Sequence, residues 1–98
     1  MPTLTVLYGP PVDPAAFRRH YEEVHLPLAR ELPGASDLSV TLDVDTLAGE
    51  HRVFAVFRAR FATRSALDAA LASPAGQAAQ ADVPAFASGG VTIVVEGD

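Results

Sequence analysis

The sequence predicts an α+β domain whose elements run β-α-β-β-α-β. Three observations carry that expectation. Runs rich in β-branched residues stand near both ends of the chain and twice in its middle. Stretches with helical periodicity lie between the first and second runs and between the third and fourth. Asp13-Pro14, Thr63 and Ser73-Pro74 supply helix-start chemistry where those stretches begin. With 98 residues and 49% apolar composition, the chain has material for one core, so 1–98 reads as a single domain.

Residues 3–9 form the first expected strand, stopped by the Gly9-Pro10-Pro11 turn. A helix follows from about 14 to 26, with Phe17, Tyr21, Val24 and Leu28 spaced as one apolar stripe. Pro27 is a stop or kink signal, because it lacks an N–H and crowds the preceding turn. A further turn over 28–32 would end at Pro33-Gly34. Residues 38–44 alternate, with Leu38, Val40, Leu42 and Val44 against Ser39, Thr41 and Asp43, the pattern of a half-buried strand. Residues 53–61 are apolar on both faces until Arg58 and Arg60, as a central strand would be. The two make a hairpin.

Thr63 caps the next helix, with Leu67, Ala70 and Leu71 on its buried side, and Ser73-Pro74 begins another segment that Pro84 should end. Gly89-Gly90 then releases the chain into a last strand over 91–95. This order is the ferredoxin-like plan: a four-stranded antiparallel sheet with the helices on one face. Its second face would expose Phe54, Val56 and Leu7, and a second copy packed sheet to sheet is the simplest cover.

Composition narrows the chemistry. No cysteine means no disulfide, no thiolate nucleophile and no Cys-ligated metal or cluster. A net charge of -5 argues against a nucleic-acid partner, whose phosphates need a concentrated basic surface. No apolar run reaches membrane-spanning length and no signal peptide opens the chain, so a cytoplasmic protein off the membrane is expected. All seven basic residues are Arg; Arg18 and Arg19 face Glu22 and Glu23 at i,i+4 and should form a solvated outer helix face.

His25 is the leading candidate for chemistry. An imidazole titrates near neutrality and moves protons without a cofactor. On a regular helix it lies about 80° from Phe17, at the border of the apolar stripe, where it could face a cleft between helix and sheet. The alternative is a capping histidine bonded to the loose carbonyls of a Pro-broken helix end. Tyr8, ending the first strand, could orient or polarise a carbonyl or phenolic oxygen, or else pack at a dimer rim. Tyr21 lies with Phe17 on the buried stripe, a core position in which its hydroxyl would be tied to a neighbour. Arg58 and Arg60 could bind an anionic substrate or pair with acidic groups at the dimer boundary. On a regular helix His20 and His25, at i,i+5, stand about 140° apart, which opposes a shared metal, and His51 has no ligand-like neighbour. No phosphate loop or nucleophile elbow is present.

Tyr8-Gly9-Pro10, Phe17, Tyr21, His25-Leu26-Pro27-Leu28-Ala29, Leu32-Pro33-Gly34 and the Ser73-Pro74-Ala75-Gly76 to Ala81-Asp82 and Phe86 segment resemble the EthD family of the dimeric α+β barrel superfamily. The resemblance implies a ferredoxin-like subunit, a homodimer through the sheet faces, and a cleft between sheet and helices. EthD is named for a part in the catabolism of an ether fuel additive. Relatives across the superfamily include cofactor-free monooxygenases, cyclases, isomerases and dehydratases. The expectation is therefore a small-molecule-binding homodimer with no cofactor and no metal, acting on an aromatic, polyketide-like or lactone-like molecule. His25 and Tyr8 would carry the reaction, and Tyr21, Phe17 and Arg58 would hold substrate. The rival is a non-catalytic accessory or ligand-binding dimer; haem binding, seen in distant members, rests on fold analogy alone.

Overall fold

The computed structural model describes residues 1–97. Strand β1 (Thr3–Tyr8) lies inside a four-stranded antiparallel sheet ordered β2-β3-β1-β4, with β2 at Ser36–Thr41, β3 at Ala55–Arg60 and β4 at Val91–Glu96. Neither crossover joins neighbours: β3 sits between β1 and β2, and β1 between β3 and β4. That is the ferredoxin-like fold, and it puts the two apolar runs of the sequence, β1 and β3, at the centre.

Register sorts the two faces. Leu4, Val6 and Tyr8 stand opposite Ala59, Phe57 and Ala55 on one side and Val95, Ile93 and Val91 on the other. This is the helix-covered face, and Leu4, Tyr8, Ala55, Phe57 and Ala59 are buried on it. The opposite face carries Thr5, Leu7, Val56, Arg58, Val94 and Glu96. Phe54 was expected there but turns inward, its ring 5.1 Å from that of Phe17. It lies just before β3, where the backbone N–H bonds the Tyr8 carbonyl at 2.7 Å and the strand alternation has not yet begun.

The second helical arm follows the local rules closely. Helix α3 (Arg64–Ala72) is capped by Thr63, whose hydroxyl accepts from the Ala66 N–H at 3.0 Å, and buries Leu67 and Ala70. Helix α4 (Pro74–Asp82) starts on Ser73, whose hydroxyl accepts from the Gly76 N–H at 3.1 Å. At Gly76 a Cβ would meet the Ala70 carbonyl and stand 2.6 Å from the Leu71 oxygen, so only glycine lets the two helices approach this closely. Pro84 falls in a 3₁₀ turn over Val83–Ala85 that ends the unit.

The first arm does not. Helix α1 (Pro14–His20) is capped by Asp13, but the helix continues past Pro27: a π-helical turn over Tyr21–His25 leads into α2 (Leu26–Ala29). Pro27 cannot donate and its ring crowds the carbonyl one turn back. The backbone accommodates it by widening: the Leu26 N–H reaches the Tyr21 carbonyl, an i→i+5 bond, and regular spacing resumes where Arg30 N–H meets the Leu26 carbonyl at 3.0 Å. A wide turn absorbs one extra residue. The buried stripe therefore runs Phe17, Tyr21, His25, Ala29, displacing Val24, which is 42% exposed, and Leu28 from the expected positions. Arg18, expected to pair with Glu22, reaches across to Asp43 of the hairpin instead.

Candidate functional site

The wide turn buries His25 to 5% exposure, beneath the helix layer and against the end of β1. Its Nδ1 lies 3.0 Å from Asp82 Oδ2 and its Nε2 lies 3.5 Å from the Tyr8 hydroxyl. A carboxylate only accepts, so Nδ1 carries the proton and Nε2 keeps its lone pair. Tyr8 then donates to Nε2 across a loose contact. The reading of His25 as a cap on broken-helix carbonyls is thereby overturned: the helix is not broken, and both ring nitrogens face side chains.

Asp82 closes α4, and its two oxygens also receive His20, whose Nε2 stands 2.9 Å from Oδ1 and 3.0 Å from Oδ2. Two histidines that a regular helix sets about 140° apart thus meet one carboxylate. The π turn is the reason. Each residue in it advances by less than the α-helical step, so five residues come closer to a full revolution. Phe86 packs against both imidazoles, with ring centroids 5.2 Å from His20 and 4.7 Å from His25.

Burial holds the His25 imidazole below its ordinary pKa, with the hydrogen bond and charge of Asp82 opposing and His20 adding to the lowering. The ring is a neutral base at neutral pH. Burial pushes the Tyr8 phenol up to about 12, the Tyr21 hydroxyl opposing and the Asp82 charge adding. Tyr21 is raised as well, by burial first and then by Tyr8. Both phenols therefore stay protonated and available as donors. The Tyr21 hydroxyl is buried beside that of Tyr8, near enough to act on its titration, yet it meets no partner among the described residues in full hydrogen-bonding geometry.

Tyr8 and His25 stand in the wall of a cavity of about 50 Å³ between sheet and helices. Leu4, Val6, Phe57 and Ile93 line it from the sheet, and Leu71 and Val83 from the second arm. Gln80 also reaches it, and among the described residues no Arg, Asp or Glu does. Phe17 and Tyr21 back the site as parts of the aromatic cluster, their rings 5.4 and 5.7 Å from that of Tyr8, without lining the cavity. Arg58 is not brought here. It lies on the opposite sheet face, paired with Glu96 at 3.0 Å, so the expectation that it holds substrate in this cleft gives way to the pairing alternative. Arg60 likewise pairs with Asp37. His51 lines a separate, wider groove at the strand ends with Arg52. Among the described residues no three His, Cys, Asp or Glu side chains are arranged to hold a metal ion, and no helix is long and apolar enough to cross a membrane.

Asp82 and His20 were not singled out from sequence as functional. For Asp82 a signal existed: an acidic residue at the C-terminal end of a helix opposes the helix dipole and asks for a compensating partner. His20 carried none, since its link to His25 depends on a turn that helical periodicity does not predict.

Fold and site together define a ferredoxin-like α+β protein with an apolar cleft that meets a buried histidine and tyrosine. The EthD domain family matches residues 9–90, and the chain belongs to that family. It is 39% identical over 92 residues to an uncharacterised 11.0 kDa protein of Rhodococcus erythropolis from the thcB-thcC intergenic region, covering 93% of this chain and 88% of that one. An EthD family protein of Bacillus halodurans superposes with a TM-score of 0.89 at 31% identity, covering 100% of this chain and 98% of the other. A dimeric ferredoxin-like protein of unknown function from Jannaschia gives 0.72 at 23% identity, covering 99% and 98%, a likeness of fold.

Proposed function

We propose that the protein binds a small, mostly apolar molecule in the cleft and that His25 Nε2 moves a proton on it, with no cofactor taking part. The observation that carries this reading is the meeting of His25 Nε2 and the Tyr8 hydroxyl on a mostly apolar wall. A base and a donor side by side suit a molecule with a weakly acidic O–H or C–H next to a carbonyl: Nε2 takes the proton while the phenol steadies the oxygen on which charge develops. Aromatic phenols, polyketide-like diketones and lactones all have this character. Among the described residues the lining offers no Arg or Lys for an anionic group, which favours neutral ligands.

The protein would act as a homodimer with the sheet faces together. The exposed Val94 and half-buried Leu7 and Val56 on the open face and the dimeric state of the Jannaschia protein support that arrangement. Sedimentation at micromolar concentration should give a dimer; a monomer overturns it.

Native mass spectrometry of the purified protein, followed by a panel of phenols, β-diketones and lactones, would identify a ligand. On any member turned over, His25→Ala should lower kcat about 10² to 10⁴-fold. Wild-type turnover in that variant removes the proton-transfer role. A ligand bound by the wild type and never converted favours the carrier reading.

A further inference from the structure

We infer that Asp82 and His20 are positioning residues for His25: one carboxylate, gripped from the solvent side by His20, fixes the tautomer that leaves Nε2 without a proton at the cavity wall. The inference rests on the reading of His25 as the proton-transfer group, and it is carried by geometry. Asp82 Oδ2 stands 3.0 Å from His25 Nδ1 and 3.0 Å from His20 Nε2, so a single oxygen serves two rings.

Neutral imidazole has two tautomers, and only one leaves Nε2 as a base. Tyr8 alone does not choose between them, because a phenol both donates and accepts. Asp82 does, because a carboxylate requires a proton on Nδ1. A lone carboxylate at a helix end can rotate or turn to water. His20 opposes this with contacts to both oxygens, and its ring stacks on Phe86 at 24°. The exposures grade accordingly: the side chains of His25, Asp82 and His20 are 7%, 13% and 27% exposed, a path from cavity to surface.

The cluster also has an electrical consequence. Four groups act on His25: Tyr8 from β1, Asp82 from α4, His20 from α1 and Tyr21 from the π turn. The phenols stay neutral, so the balance lies between the carboxylate and the second histidine. Asp82 favours a proton on His25. His20 draws on the same carboxylate and, when protonated, repels that proton.

Long-range ¹H–¹⁵N NMR of the imidazoles in the ligand-free protein tests this without any substrate. In the wild type His25 should show Nδ1 protonated and Nε2 bare at neutral pH. Asp82→Asn should abolish that preference and move the His25 titration to lower pH by about one pH unit. His20→Phe should move it the other way, to higher pH, while His20→Gln, which keeps a donor to the carboxylate, should leave the tautomer in place. Opposite shifts from two neighbouring variants, with amide spectra otherwise unchanged, are not what loss of packing produces. If Asp82→Asn does not fold, the His20→Phe shift decides. An unchanged tautomer in Asp82→Asn, or an unmoved or downward His25 titration in His20→Phe, overturns the inference. Should the NMR signature appear while His25→Ala keeps full turnover, the positioning stands and the proton-transfer reading falls.

Discussion

The two helical arms cross the same sheet but are held in place differently. The second arm, α3 and α4, is capped at each start by a hydroxyl and is drawn together by a glycine where the helices nearly touch. It makes a regular wall of the cavity. The first arm is interrupted by the π turn over Tyr21–His25, and it buries rings where the second buries Leu and Ala. Regularity serves the wall; the irregular turn places the histidine. Both arms supply the polar cluster, since Asp82 ends the second and His20 and His25 lie in the first, so the cluster joins them.

The largest expected effect lies in the first arm. Phe17 packs against Tyr8, Tyr21, Phe54 and Phe86 with ring centroids 5.1 to 5.8 Å apart. Phe17→Ala removes the centre of that cluster and should cost about 3–5 kcal/mol in urea unfolding. A loss below about 1 kcal/mol would mean that the rings do not hold the arm, and the comparison would lose its first term.

How far the sequence disclosed this arrangement follows from the range of each signal. The Asp13, Thr63 and Ser73 caps and the Gly89-Gly90 release are local, and each appears where its residues predict. Strand alternation finds every strand but not its bounds, since the second, expected over 38–44, runs Ser36–Thr41 with a register shift between Ser36 and Ser39 and leaves Leu42 and Val44 outside it. Their sum gives the fold. His25 and Tyr8 were legible as candidates because one flanks a proline and the other ends a strand, and they do meet. The His20 to Asp82 to His25 link was hidden, because a period of 3.6 residues sets the histidines apart and only the wide turn reunites them. The same turn moved Val24 out and His25 in. Arg58 was legible as lying on the face of Val56, but strand parity does not say which face the helices cover or that Glu96 stands near enough to pair. Local rules fail here where the candidate site begins, as they do when a site asks for geometry that regular structure does not supply.

A smaller effect sharpens the second term. Gly76→Ala would place a methyl against the Ala70 and Leu71 carbonyls, which belong to helix backbone and have little freedom to retreat. The variant should lose about 1–3 kcal/mol by overpacking, and it should narrow the cavity that Gly76 lines, weakening any ligand bound there. Thermal unfolding with and without ligand measures both. A neutral substitution would show that the close approach of α3 and α4 relaxes without cost.

The smallest effect tells the arms apart by pH. His25 is buried in the first arm and held below the ordinary imidazole value of 6.5, while neither α3 nor α4 buries a histidine. Since the unfolded chain takes up the proton first, the contribution of neutral His25 is complete above pH 6.5 and is lost as the pH falls toward the lowered native value. Stability should therefore decline on mild acidification. Part of that decline should vanish in His25→Phe, which keeps a ring in the aromatic cluster and has nothing to titrate. Chemical denaturation at pH 7.5 and 5.5 measures the difference. Equal acid sensitivity in wild type and variant would place the titrating burden outside the first arm, and the irregular turn would then have no electrostatic cost to set against the site it builds.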